Sequence, residues 1–117
     1  MSDRIEISSP AVGEEEWLGL RSPLESGWLT LGAQVAQFES DFATKHQVRH
    51  ALATTSCTTA LHLMLASAGI GPGDEIIVPS FTWISTANAV VYCGATPVLV
   101  DVDPLTYNIS VEDDLRS

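Results

Sequence analysis

Three short apolar runs, Val48–Thr54, Glu75–Pro79 and Pro97–Asp101, are separated by stretches of helical length, and this alternation constrains the fold more than any other feature. Consecutive strands joined through helices lie parallel, so the order strand, helix, strand, helix, strand predicts an open α/β layer with right-handed crossovers. The first helix opens in the polar cluster Thr54-Thr55-Ser56-Cys57-Thr58-Thr59. It carries Leu61, Met64, Leu65 and Ala68 as its buried stripe and stops at Gly69. Gly71-Pro72-Gly73-Asp74 fits a turn with proline second and glycine third, where a positive φ is tolerated. The second helix is predicted from about Thr82 to Cys93, with Gly94 closing it.

Upstream, residues 1–31 read as an arm. Glu14-Glu15-Glu16 opens a short amphipathic stretch through Trp17, Leu18 and Leu20, which Pro23 is expected to interrupt. From Gly32 to about Lys45, Val35, Phe38, Phe42 and Ala43 share one helical face. At the other end Ser110-Val111-Glu112-Asp113 resembles a helix start with an acid at its third position. Few residues follow it, so the chain reads as a fragment.

The 117 residues are 45% hydrophobic, enough for one small core. Fifteen acidic residues against five basic ones give a formal charge of −10, which repels phosphate backbones and argues against nucleic acid as a partner. A single cofactor phosphate remains possible, because backbone N–H groups hold it locally. The start, Met1-Ser2-Asp3-Arg4-Ile5-Glu6, lacks a basic region followed by an apolar run, and no stretch is apolar enough to cross a bilayer. A cytoplasmic protein without a membrane partner is expected. Cys57 and Cys93 show neither zinc spacing nor a disulfide framework.

Ligands of an open parallel sheet lie beyond the carboxyl ends of its strands. Here those ends are Thr54–Thr58, Pro79–Trp83 and Asp101–Asp103. At the first, a helix start offers unpaired N–H groups and a positive dipole end, with hydroxyls as further donors and small side chains that let an anion approach. The simpler reading is that Ser56 or Thr55 only caps the helix. Neither Gly-x-x-x-x-Gly-Lys nor Gly-x-Gly-x-x-Gly occurs. At the second end, Phe81 and Trp83 offer flat surface to an aromatic ring, although aromatics at helix starts usually pack inward.

Four blocks, in order, carry a resemblance. They are Ser26-Gly27-Trp28-Leu29-Thr30-Leu31-Gly32 with Phe38-Glu39; Ser56-Cys57-Thr58-Thr59-Ala60-Leu61-His62; Gly71 through Trp83; and Gly94-Ala95-Thr96-Pro97-Val98-Leu99-Val100-Asp101-Val102-Asp103. From about Pro23 to Ile109 the chain resembles the DegT/DnrJ/StrS aminotransferases. The resemblance implies a type I pyridoxal-phosphate transferase large domain, three-layer α/β/α with mainly parallel strands, here truncated. Residues 1–31 would be its arm and 32–117 the incomplete cofactor-binding part. It also implies pyridoxal 5'-phosphate as cofactor, a homodimer with sites at the subunit interface, and amino transfer from an amino-acid donor to a nucleotide-linked ketosugar. Cys57 and Thr58, with Ser56 beside them, would hold the phosphate, and Trp83 would stack on the ring. Many members carry glycine where this chain has Cys57.

In that family the Schiff-base lysine and the aspartate that pairs with the pyridine nitrogen lie beyond the residues present here, so no catalytic residue is assigned and the 117-residue chain by itself is expected to be inactive. Lys45 is the only lysine, and its place at a helix end reads as solvated. His46, His50 and His62 suggest no metal or proton relay, and Cys93 reads as a small buried residue. Three alternatives stay open: a dehydratase of the same family with histidine in place of the lysine, a non-catalytic binding or regulatory protein, and a metal-dependent glycosyltransferase domain using Asp101 and Asp103.

Overall fold

The computed structural model describes residues 8–110. They form helices α1 (Glu14–Ser26), α2 (Ala33–Lys45) and α3 (Cys57–Ser67), strand β1 (Glu75–Pro79), helix α4 (Ser85–Tyr92) and strand β2 (Thr96–Val100). Two units separate, one reaching to Ala53 and one running from Thr54. The expected helix start at Ser110–Asp113 lies outside the described residues from Val111 onward.

In the first unit, α1 begins with three carboxylates, Glu14, Glu15 and Glu16, at its positive end. The Gly13 N–H donates to Glu16 Oε2 at 2.6 Å. That bond, with a smaller contribution from the N–H of Glu16 itself, holds the Glu16 carboxyl below its usual range. Pro23 does not interrupt the helix, contrary to the sequence reading. It forfeits only its own donor, and the closing turn is secured by Ser26 Oγ donating to the Pro23 carbonyl at 2.9 Å and Gly27 N–H donating to Leu24 at 3.3 Å. A shallow apolar hollow beside α1 is lined by Leu20, Pro23, Trp28 and Leu29.

α2 follows its predicted bounds, and its better-covered face keeps Val35 and Ala43 of the expected set but not Phe38 and Phe42. Val35, Glu39 and Ala43 are half-buried at a spacing of four, whereas Phe38 and Phe42 stay exposed and pair with each other at 5.9 Å. Glu39 is drawn in because its carboxylate accepts the Ala53 N–H at 2.8 Å. That contact also bears on a second correction: Val48–Thr54 is irregular rather than a strand. An extended run becomes a strand by pairing, and the one ladder among the described residues joins β1 to β2.

The second unit is a β1–α4–β2 crossover with α3 against α4. The strands run parallel in register Glu75↔Thr96 through Pro79↔Val100, as the alternation predicts for them. Val78 of β1, Val90 of α4 and Ala95 form the core, with Leu65, Ile70, Ile76 and Ala87 packed on it. The turn before β1 is the expected one: Asp74 N–H donates to the Gly71 carbonyl at 3.1 Å and Gly73 takes φ 98°. On α3, Leu61 and Leu65 are partly covered as expected, but Met64 and Ala68 are exposed. His62 takes the covered place, its ring edge-on to Tyr92 of α4 at 5.7 Å.

α4 starts at Ser85, three residues later than predicted. The reason lies in β2: Ser80 N–H donates to the Val100 carbonyl at 2.8 Å, which carries the chain past the end of β1 in a non-helical path.

Candidate functional site

The start of α3 is built by Ser56. Its backbone is extended (φ −162°, ψ 162°), its Oγ accepts the Thr59 N–H at 3.2 Å, and its carbonyl accepts the Ala60 N–H at 3.0 Å. The hydroxyl also pairs with Thr59 Oγ1 at 2.9 Å, and Thr55 Oγ1 lies 3.3 Å from the same atom. Ser56 is therefore a cap, the simpler of its two sequence readings.

Capping leaves two donors over. The N–H groups of Cys57 and Thr58 are the first two of the helix, where no carbonyl one turn back can reach, and they meet no acceptor among the described residues. No acidic side chain stands in the first turn of α3, in contrast to the three on α1. The positive end of the α3 dipole is thus open to an anion. Cys57 is exposed and Thr58 half-buried. Cys57 adopts helical backbone, so the positive φ that would strain a cysteine in place of glycine does not arise.

Trp83 lies in the loop after β1, 77% exposed, and Phe81 is 68% exposed. The inward packing weighed for both is overturned. The chain leaves β1 with Ser80 bonded to β2, and Phe81 lies against Tyr107, ring centroids 5.5 Å apart. The loop is pinned at its far end as well, by Thr86 N–H donating to the Trp83 carbonyl at 3.0 Å and by the Thr82–Thr86 hydroxyl pair at 3.2 Å. Ser56, Cys57 and Thr58 come together at one helix start. Trp83 stands on a separate loop of the same unit, and no hydrogen bond joins it to them among the described residues.

After β2, Asp103 organises a turn. Its Oδ1 accepts the N–H groups of Thr106 at 2.8 Å and Leu105 at 2.9 Å, which holds the carboxyl below its usual range. Asp101 Oδ1 accepts the Val102 N–H at 2.9 Å. Both acids are engaged with backbone, and among the described residues no three metal-binding side chains gather. Tyr107 was missed by sequence reasoning. The signal available for it was Asp103 followed by Thr106, the pattern of a side-chain turn ending just before it.

Residues 10–114 match the model of the DegT/DnrJ/EryC1/StrS aminotransferase family. The chain is 48% identical over 112 residues to the GDP-perosamine synthase of Caulobacter vibrioides, covering 93% of this chain and 30% of that protein. It is 50% identical over 102 residues to the spore coat polysaccharide biosynthesis protein SpsC of Bacillus subtilis, covering 87% and 26%. Among solved structures it is similar to the PLP form of Spr1654 from Streptococcus pneumoniae, with TM-score 0.86, 32% identity and coverage of 96% and 29%. The chain thus spans under a third of the length of these relatives.

Proposed function

Because the chain belongs to the DegT/DnrJ/EryC1/StrS aminotransferase family, we propose that it forms the N-terminal part of the cofactor-binding large domain of a pyridoxal-phosphate-dependent sugar aminotransferase. Residues 1–31 serve as its arm and 32–117 as the beginning of the cofactor domain. The observation that supports this best is the open start of α3, where the N–H groups of Cys57 and Thr58 face no acceptor and no carboxylate. A dianionic phosphate matches that donor set.

When bound, pyridoxal 5'-phosphate supplies the electron sink through which an amino group passes from an amino-acid donor to a nucleotide-linked ketosugar. The residues present here bind and orient. Cys57 and Thr58 donate backbone N–H groups to the phosphate, and the Thr58 hydroxyl adds a third donor. Ser56 keeps the helix start closed so that those donors stay aligned. Trp83 covers one face of the ring and keeps water from it. The nucleotide sugar is supported by the name of the Caulobacter relative, a GDP-perosamine synthase. Lys45, the only lysine, is exposed at the end of α2 and takes no part. The lysine that holds the cofactor therefore belongs outside these residues, and the 117-residue chain alone is inactive. The working enzyme is a cytoplasmic homodimer.

The test uses the complete protein that carries these residues, assayed for glutamate-dependent amination of a ketosugar nucleotide and titrated with pyridoxal 5'-phosphate. Amination that depends on the cofactor is the expected result. A protein that neither binds the cofactor nor moves an amino group overturns the reading.

A further inference from the structure

An indole that is 77% exposed gains little from its own burial, so what fixes it is the loop that carries it. That loop is tied down at Ser80 by β2 and at Thr82 and Trp83 by the first turn of α4. Between these ties stands Phe81, whose only ring partner among the described residues is Tyr107, at 5.5 Å and 34° between planes. Tyr107 holds that position at a cost, with φ 59°, one of two non-glycine residues in the left-handed region among the described residues. The turn behind it is closely bonded: Asp103 accepts from Leu105 and Thr106, Tyr107 N–H donates to the Asp103 carbonyl at 2.8 Å, and Asp103 N–H donates to Asn108 at 2.9 Å. A backbone held in an unfavourable region by four such contacts presents a ring to one neighbour, and that neighbour is the residue two before Trp83.

We propose that Tyr107 is a positioning residue: through Phe81 it clasps the loop after β1 and holds the exposed Trp83 indole in place before any cofactor arrives. The inference rests on the reading of Trp83 as the ring-covering residue but concerns residues that the reading does not use. The Tyr107 hydroxyl makes no hydrogen bond among the described residues, so the ring alone acts. A preordered platform loses less freedom on binding, which places the effect in cofactor affinity.

The clasp is read first without cofactor, in the apo form of the complete protein with every tryptophan other than Trp83 replaced by phenylalanine, Trp17 and Trp28 included, so that Trp83 is the one indole. Tyr107→Ala and Tyr107→Gly are expected to lower the fluorescence anisotropy of Trp83, and Tyr107→Phe to preserve it. The glycine variant separates the two roles, since it relieves the backbone at φ 59° and should not destabilise the turn. Where a Tyr107 variant fails to fold, Phe81→Leu removes the opposite ring, leaves the turn intact and should lower the anisotropy equally. In the complete protein, Tyr107→Gly should weaken pyridoxal 5'-phosphate binding by roughly three- to tenfold, the scale of one aromatic pair, with Tyr107→Phe restoring it. Unchanged anisotropy in Tyr107→Gly and Phe81→Leu, or a phenylalanine variant that behaves like alanine, overturns the clasp. A lowered anisotropy with Thr58→Val and Trp83→Ala both binding cofactor normally upholds the clasp and rejects the cofactor site instead.

Discussion

Ser56 accepts the Thr59 N–H and pairs with the Thr59 hydroxyl through one oxygen, so its side chain serves the helix, and the proposed phosphate site draws on the N–H groups of its two successors. Ser56→Ala should cost about 1 kcal/mol of stability in a denaturant melt. Thr58→Val in the complete protein should weaken cofactor binding by about 1–3 kcal/mol in a titration, the range for a lost bond to a charged group. Cys57→Gly should leave affinity intact, because the N–H it contributes is backbone. Asp103 titrates differently. Its folded carboxyl is held down by the Thr106 and Leu105 N–H groups, so its contribution is fully present above the unfolded value and is lost as pH falls through the lower, folded one. Carboxyl NMR should place its midpoint below that of an ordinary aspartate. Asp103→Asn should flatten the acid limb of the stability profile there.

Among the elements, the β1–α4–β2 crossover holds the described core. Val90→Ala removes two methyl groups from a site 1% exposed and should destabilise the second unit by about 2 kcal/mol in a thermal or urea melt. Both strands of this crossover, its preceding turn and the ends of α2 and α3 were legible in the sequence. Each carries a local signal: Gly73 needs its positive φ, Ser56 its cap, and β1 and β2 their apolar runs. What was not legible depended on partners far along the chain. Val48–Thr54 had the pattern of a strand, but a ladder needs a second strand, and Glu39 took one of its donors instead. Phe81 and Trp83 were weighed as core because a sequence cannot show that Ser80 is bonded to Val100. The unpartnered N–H groups of Cys57 and Thr58 followed from the helix start alone, whereas Tyr107 and its ring contact did not.

For the molecule as a whole, apolar surface and charge oppose each other. Trp17, Leu29, Leu31, Phe81, Trp83 and Leu105 are each more than two-thirds exposed, which favours association, while the formal charge of −10 keeps copies apart. Raising salt shortens the reach of that repulsion from about 30 Å at 0.01 M to about 8 Å at 0.15 M. Sedimentation of the 117-residue chain should therefore show association that grows with ionic strength, and a clean monomer throughout would mean that the exposed apolar surface is too scattered to drive it. The parallel ladder has a further consequence, in time rather than in space. Its strands are joined by α4 alone, and the buried hydrophobic residues around them lie no later than Val100. During synthesis the ladder can close as soon as Val100 clears the ribosome, so this crossover is ready to fold while the residues behind it are still held in the exit tunnel.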